Sequence, residues 1–556
     1  MFKELSKMKF KKLFCLILCL IFTLLTGCSR GNGGEDTGGG GHQFTACLLG
    51  DPESLDPQIA NDTSAHTVIS NIFSGLLKID GSGNVVCDTA ESYTVSADGL
   101  TYSFTLREDN YWVFDRNGNG VIEGEKEVKA IDGEMPITVP AEYFNVTSRD
   151  YVFAFNRLLS PETKSPFRED YSCIVNVRQT GDYGLEFILK HPNADFPALL
   201  TRSAAKPCNE EFFNASKGRY GRTLETVMAN GAFYMTLWFY DPYGNRNDLY
   251  LRKNTVNSKA DTVYPSYVCF NIVRSAEDAV TLFREQKIET MQSKYYNANF
   301  PKSKYYYTPY KSETLGLIYN KESETYSNNN MRKAIAHSID RNALLQEQGD
   351  DFTVAYGIIP SGISLLGRSY RELSSDLSFD CYDRDKASQY FEIAKYELEK
   401  KPLNDSILVN TEYVNAEILP VITEQLHDAL GFYLTFEGVS ATEFNSRITS
   451  GNYGLALYPV TAEYNSGVSF LKNFSKNDCT NTPYSVKAAL DGIDRVSTAA
   501  DYVEIFNSIE KKILEENCFI PLFYKNVYTV SMNQCRDIAY NPFTGAVDFR
   551  KARFVK

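Results

Sequence analysis

Few residues in this 556-residue chain stand at spacings that chemistry demands. The clearest set is Asp115-Arg-Asn-Gly-Asn-Gly-Val-Ile-Glu123. It offers side-chain oxygens from Asp115, Asn117 and Asn119 at loop positions one, three and five, Gly at six, the carbonyl of Val121 at seven and Ile at eight, an oxygen cage suited to a hard cation such as calcium. Position twelve, where a bidentate carboxylate belongs, is Lys126 between Glu125 and Glu127. The pattern is incomplete, and a solvated Asn-Gly turn accounts for the same residues. A structural calcium is the one cofactor the sequence allows, and none is required. The five histidines, His42, His66, His191, His337 and His427, lie far apart and form no paired ligand spacing, which argues against a zinc hydrolase. No GxSxG, SxxK or phosphate-binding loop occurs, so no catalytic constellation is found.

These residues sit in a chain that is 43% apolar and 23% charged, which is globular in composition and long enough for two to four packed domains. Seventy acidic against 57 basic residues give a formal charge of -13, which disfavours a nucleic-acid partner bound by phosphate neutralisation. Thr101 to Arg107 and Leu185 to Lys190 alternate as strands. Thr147-Ser-Arg-Asp150 is a capping box that opens a helix running to Leu159, stopped by Pro161. A second helix begins near Glu417 and ends at Gly431, ahead of a strand at Tyr433 to Phe436. The fold class expected is mixed α/β with several sheets.

The N-terminus has its own grammar. Lys3, Lys7, Lys9, Lys11 and Lys12 precede an uncharged run from Leu13 to Leu25, and Leu25-Thr-Gly-Cys28 follows. The apolar run is too short to span a bilayer, which needs about 20 residues, and reads as an export signal. Its end resembles the lipobox of bacterial lipoproteins, which implies that Cys28 carries the lipid. Ser29 to His42 is a Gly-rich tether with a reach of roughly 20 Å. Loss of residues 1–27 removes five Lys and one Glu, so -13 becomes -17. Nine cysteines then remain besides Cys28, an odd number without a CxxC pair, and they read as free thiols acting as small hydrophobes.

The order of segments resembles the peptide/nickel class of bacterial solute-binding lipoproteins that serve ABC importers, most closely its oligopeptide-binding members. The resemblance is carried by Glu53-Ser-Leu-Asp-Pro57, Asn71 to Leu77, Thr101 to Arg107 with Trp112, Val146 to Arg157, Asn230-Gly-Ala-Phe233, Met331 to Arg341 and Phe519 to Tyr524, in that order. It implies a two-lobed periplasmic-binding-protein clamp with an extra inserted subdomain. The boundaries it implies are a signal at 1–27, a lipidated tether at 28–42, a first lobe at 43–80, 206–312 and 524–556, an inserted subdomain at 81–205, and a second lobe at 313–523. Hinges are expected near Tyr310 to Thr314 and Leu522 to Asn526. The implied partners are a peptide ligand, an ABC permease with its ATPase, and the membrane through the lipid anchor.

Within Thr461-Ala-Glu-Tyr-Asn465, the resemblance makes Glu463 the counter-charge for a peptide α-ammonium, with Thr461 and Asn465 beside it. Relatives have Asp here; Glu moves the carboxylate outward by about one C–C bond, roughly 1.5 Å. Two pocket Trp positions are matched instead by Tyr458-Pro-Val-Thr461 and Ser440-Ala-Thr-Glu-Phe444. Their loss keeps a second reading open, in which the same clamp closes on an oligosaccharide or other nutrient. A third is a calcium-stabilised surface adhesin with no transport role. Arg332, Asp340 and Arg341 are expected to form an ion-pair face on one helix.

Overall fold

The computed structural model describes residues 42–555 apart from 81–83, 117–120, 125, 129–136, 140, 244–246, 294–295, 298, 346–350, 366–367, 375–380, 400–405, 412–417, 477–481, 483, 494–495 and 497–498. Cys28, Asn117, Asn119 and Cys479 therefore lie outside the described residues. The eight cysteines among the described residues are free thiols, half-buried or buried.

The first sheet begins with Gln43–Leu49, whose alternation sends Phe44, Ala46 and Leu48 inward. It runs parallel to Tyr267–Val273, and Asp248–Lys253 and Phe233–Phe239 follow antiparallel. The helix Thr63–Ile72, capped by Asp62, packs on this sheet. Its buried Asn71 reaches the last part of the chain, donating to the Val547 carbonyl at 2.7 Å and accepting from the Phe549 N–H at 3.0 Å. Phe44 stacks on Phe554 with ring centres 4.4 Å apart. The first and last residues of the body are thus one packing unit.

A second antiparallel sheet has the order Ile174–Gly181, Gly184–Leu189, Thr101–Leu106, Ala90–Val95. The strands expected at 101–107 and 185–190 are both here. The helix Ser148–Leu159 opens with the Asp150 carboxylate accepting from the Thr147 N–H at 2.8 Å, and Pro161 follows its end. Both sheets feed one hydrophobic core, which runs from Phe44 to Phe300 and resumes from Tyr528 to Ala552.

A seven-stranded sheet follows, in the order Thr290–Ser293, Ile520–Met532, Tyr305–Tyr319, Leu455–Thr461, Ser406–Asn410, Thr435–Val439, with Phe352–Val354 beside Ile520–Met532. A second core, from Leu315 to Phe523, packs helices on its far part. The helix Ile418–Leu430 ends at Gly431, whose φ of +73° is the left-handed conformation that glycine adopts without strain. The strands Tyr305–Tyr319 and Ile520–Met532 run through both cores. Tyr305 and Tyr307 pack on the first and Leu315 to Tyr319 in the second; Ile520 to Phe523 lie in the second and Tyr528 to Met532 in the first. At the crossing Lys311 faces Asn526 and Glu313 faces Lys525, with a register shift between them at Ser312.

One expectation is corrected. Arg332, Asp340 and Arg341 do not share a helix or form an ion-pair face. The chain breaks between Asn329–Ser338 and Arg341–Leu345, because Asp340 caps the second helix, accepting from the N–H groups of Asn342 and Ala343 at 2.9 and 3.2 Å. Both arginines are buried and donate to main-chain carbonyls, Arg332 to Ser327 at 2.6 Å and Arg341 to Pro521 at 2.8 Å. A buried guanidinium needs such acceptors, and here the backbone supplies them.

Candidate functional site

The strand Leu455–Thr461 pairs with Tyr305–Tyr319, bringing Thr461 opposite Glu313. After Thr461 the chain turns into the helix Gly467–Lys476, and Ser466 holds that turn by accepting from the N–H groups of Val468 and Ser469 at 3.0 and 3.3 Å. Inside the turn the Glu463 N–H donates to Ser469 Oγ at 3.0 Å. Asn465 is committed to Ser364: its Oδ1 accepts from the Ser364 N–H at 2.8 Å and its amide donates to Ser364 Oγ at 3.1 Å. Thr461 is exposed, and its hydroxyl turns back to the Ala462 carbonyl at 3.4 Å.

Across from this turn lies the segment His191 to Arg202. The two exchange side chains: Tyr464 packs against the first core and Ala194 against the second. Two hydroxyls converge on one carboxylate oxygen, Asp195 Oδ2, from Ser466 at 2.6 Å and Tyr464 at 3.3 Å. The Ala194 N–H donates to the Val496 carbonyl at 3.3 Å. Asp195 is buried, and loss of hydration pushes its carboxyl up to about 7, against the pull of the Ser466 and Tyr464 hydrogen bonds and the more distant Lys472.

Arg202 is a buried cation beside the cavity. Its guanidinium is 11% exposed, pairs with Asp170 at 2.7 Å and Glu463 at 3.9 Å, and lies 4.9 Å over the Tyr464 ring and 5.3 Å over Phe167. Glu463 is 50% exposed. It borders a cavity of about 310 Å³ where the two cores meet, together with Glu169, Asp170, Asp195, Lys190, His191 and Lys472. That volume is at the small end for a ligand site. A second cavity, about 330 Å³, opens at the strand crossing between Tyr310, Lys311, Gly362 and Pro542.

The structure thus brings Glu463 to the cavity and gives the side chains of Thr461 and Asn465 other partners. Asp170, Asp195 and Arg202 had no local sequence signal, since they stand about 260 to 290 residues from the turn they meet; Tyr464 and Ser466 stood inside and next to the segment already singled out. Of the calcium-like loop, Asp115 and Val121 are described, Lys126 opens the short strand Lys126–Val128, and the Glu142 carboxylate accepts from the N–H groups of Arg116 and Glu123 at 3.1 and 3.2 Å. Among the described residues no group of three His, Cys, Asp or Glu is arranged to hold a metal, and no helix is long and apolar enough to cross a membrane.

The sequence profile of the bacterial extracellular solute-binding proteins, family 5, matches residues 84–482. The chain is 22% identical to the oligopeptide-binding protein OppA of Bacillus subtilis (strain 168) over 98% of this chain and 99% of that protein. It is 23% identical to the dipeptide-binding protein DppE of the same organism over 90% of each. The solved structure of Listeria monocytogenes OppA bound to peptide matches with a TM-score of 0.63 at 19% identity, over 93% of this chain and 100% of that one. Two cores joined by two long strands, with a cavity between facing turns, are the two-lobed clamp of these proteins, and the chain belongs to the bacterial extracellular solute-binding proteins, family 5.

Proposed function

We propose that this chain captures peptides outside the cytoplasm for an ABC importer, and that Glu463 is the counter-charge for the peptide's α-ammonium. One observation carries the second part: the Glu463 carboxylate stands half-exposed at a cavity lined by four acids, Glu169, Asp170, Asp195 and Glu463, against Lys190, Lys472 and His191. An ammonium enclosed there without a carboxylate would lose several kcal/mol of hydration uncompensated. The ligand class is supported by the names of the two relatives, an oligopeptide-binding and a dipeptide-binding protein. The importer's permease and ATPase are the partners this role requires.

Closure of the two lobes over the ligand is part of the same reading. The lobes are taken as 43–80, 206–312 and 524–556 against 313–523, with 81–205 inserted in the first. Support comes from the long strands, which change cores between Tyr307 and Leu315 and between Phe523 and Tyr528. Bending at the Ser312 register shift would open the Asp195–Ser466 contact and admit the ligand. Cys28 is the proposed lipid site, holding the clamp to the membrane through the Gly-rich tether.

Calorimetry with short peptides, free and N-acetylated, on the chain from Ser29 onward tests the proposal. Acetylation is expected to weaken binding at least about tenfold, about 1.4 kcal/mol, and Glu463→Gln to do the same to the free peptide. Equal binding of the two forms removes the role given to Glu463, and absence of binding across a mixed peptide set removes the ligand class.

A further inference from the structure

Away from the Glu463 turn, four cations gather inside the first lobe. Asp88 is 3% exposed. Lys78 Nζ stands 3.0 Å from its Oδ1, Lys259 Nζ 3.4 Å from the same oxygen, and Arg550 Nη1 3.8 Å from Oδ2. Lys259 also donates to the Asp88 carbonyl at 2.5 Å, and Arg550 pairs with Asp548 at 2.5 Å. The fourth cation is Lys206. It is 7% exposed, its stem lies against Gly75 so closely that a Cβ there would meet Nζ at 3.0 Å, and its ammonium has no hydrogen bond or ion pair with any described residue. Of the other charges nearby, Arg107 is taken by Asp109 at 2.8 Å and Lys551 donates to the Thr262 carbonyl at 2.9 Å.

Four cations thus face two carboxylates, Asp88 and Asp548, in a protein that is acidic as a whole. A buried ammonium without an acceptor is unfavourable by several kcal/mol, and the surplus of two positive charges equals the charge of a small dianion. We propose that Lys206, with Lys78, Lys259 and Arg550, forms a binding site for a free tetrahedral oxyanion of the sulfate or hydrogen-phosphate class. The four residues come from four separate stretches of chain, so donors would approach from several sides, as a tetrahedral oxyanion requires. The ion would tie the end of the chain, through Arg550, to the segments that carry Lys78 and Lys206. It is distinct from the ligand cavity, which none of these residues lines. Burial lowers the Lys206 ammonium to about 8, opposed by Asp88 and reinforced by Arg550 and Lys78. Anion affinity should accordingly fall as pH rises through about 8, where the amine loses its proton.

The test is calorimetric titration of the full mature chain with sodium sulfate and with sodium phosphate, against sodium chloride at equal ionic strength. One site per chain is expected for both oxyanions and none for chloride, with at least about a tenfold loss of affinity in Lys206→Met. If that variant does not fold, Lys78→Met paired with Lys259→Met takes its place, with the same loss expected. Absence of oxyanion binding by the unmodified chain, or unchanged affinity in the variants that fold, overturns the proposal.

Discussion

Asp88 and Asp195 are equally deep, each 3% exposed, yet their surroundings move their acidities in opposite directions. Burial alone raises both carboxyls by removing water from the charged form. Around Asp88 that effect is overcome by Arg550, Lys78, Lys206 and Lys259, which hold the carboxyl far below its ordinary range. Around Asp195 the nearest partners are hydroxyls of Ser466 and Tyr464, which stabilise the anion less, and the carboxyl rises to about 7. Depth is therefore a poor guide to the charge of a buried acid, and the kind of neighbour decides it. The difference also divides the molecule by role. Asp88 is held by four cations, whereas Asp195 meets its hydroxyls where the first core touches the second.

The comparison breaks most visibly at Asp88. Asp88→Asn leaves Lys78, Lys206, Lys259 and Arg550 facing only Asp548, and urea unfolding should show a loss of about 3–5 kcal/mol. A loss below about 1 kcal/mol would mean that solvent screens these cations well enough without it. Next in size, Ser466→Ala removes the 2.6 Å hydrogen bond from a buried acceptor and should cost about 1–2 kcal/mol, while moving the Asp195 titration further upward. An unchanged titration would show that Tyr464 alone sets it.

The pH profile sharpens the contrast by smaller amounts. Asp195 binds a proton more tightly folded than unfolded, so its contribution is most favourable at low pH and is lost as pH rises through about 7. Stability should fall by about 1 kcal/mol between pH 6 and pH 8, and Asp195→Asn, which keeps the shape and removes the charge, should flatten that slope. Asp88 has the opposite sign: its lowered carboxyl stabilises the fold above about pH 4, and that gain is lost only as the solution becomes more acidic. A slope between pH 6 and 8 that survives Asp195→Asn would assign it to another group.

How much of this was legible in the sequence follows from the range over which each signal acts. The strand Thr101–Leu106, the helix Ser148–Leu159 and the stop at Gly431 are set by alternation, capping and a left-handed turn, all within a dozen residues, and each appears where the sequence put it. Glu463 is singled out in the sequence only because its segment resembles a family segment, and the structure sets it in the cavity wall. Asp195 and Arg202 are not singled out, because their meaning exists only when the chain brings residue 195 onto residue 466. Lys206 carries no local sequence signal; the close wall at Gly75 and the surrounding charges reveal its burial. The error over Arg332, Asp340 and Arg341 came from extending one helix through Asp340, a residue whose carboxylate starts a new one.

The stacking of Phe44 on Phe554 has a consequence for the order in which the chain can be made and folded. The second core is built almost wholly from residues between Leu315 and Phe523, with Ala194 and Phe543 at its margin, so most of it can close once that stretch leaves the ribosome. The first core waits for Tyr528 to Ala552, although its opening strand is made first. For most of synthesis the leading part of the polypeptide therefore remains without the residues that complete it.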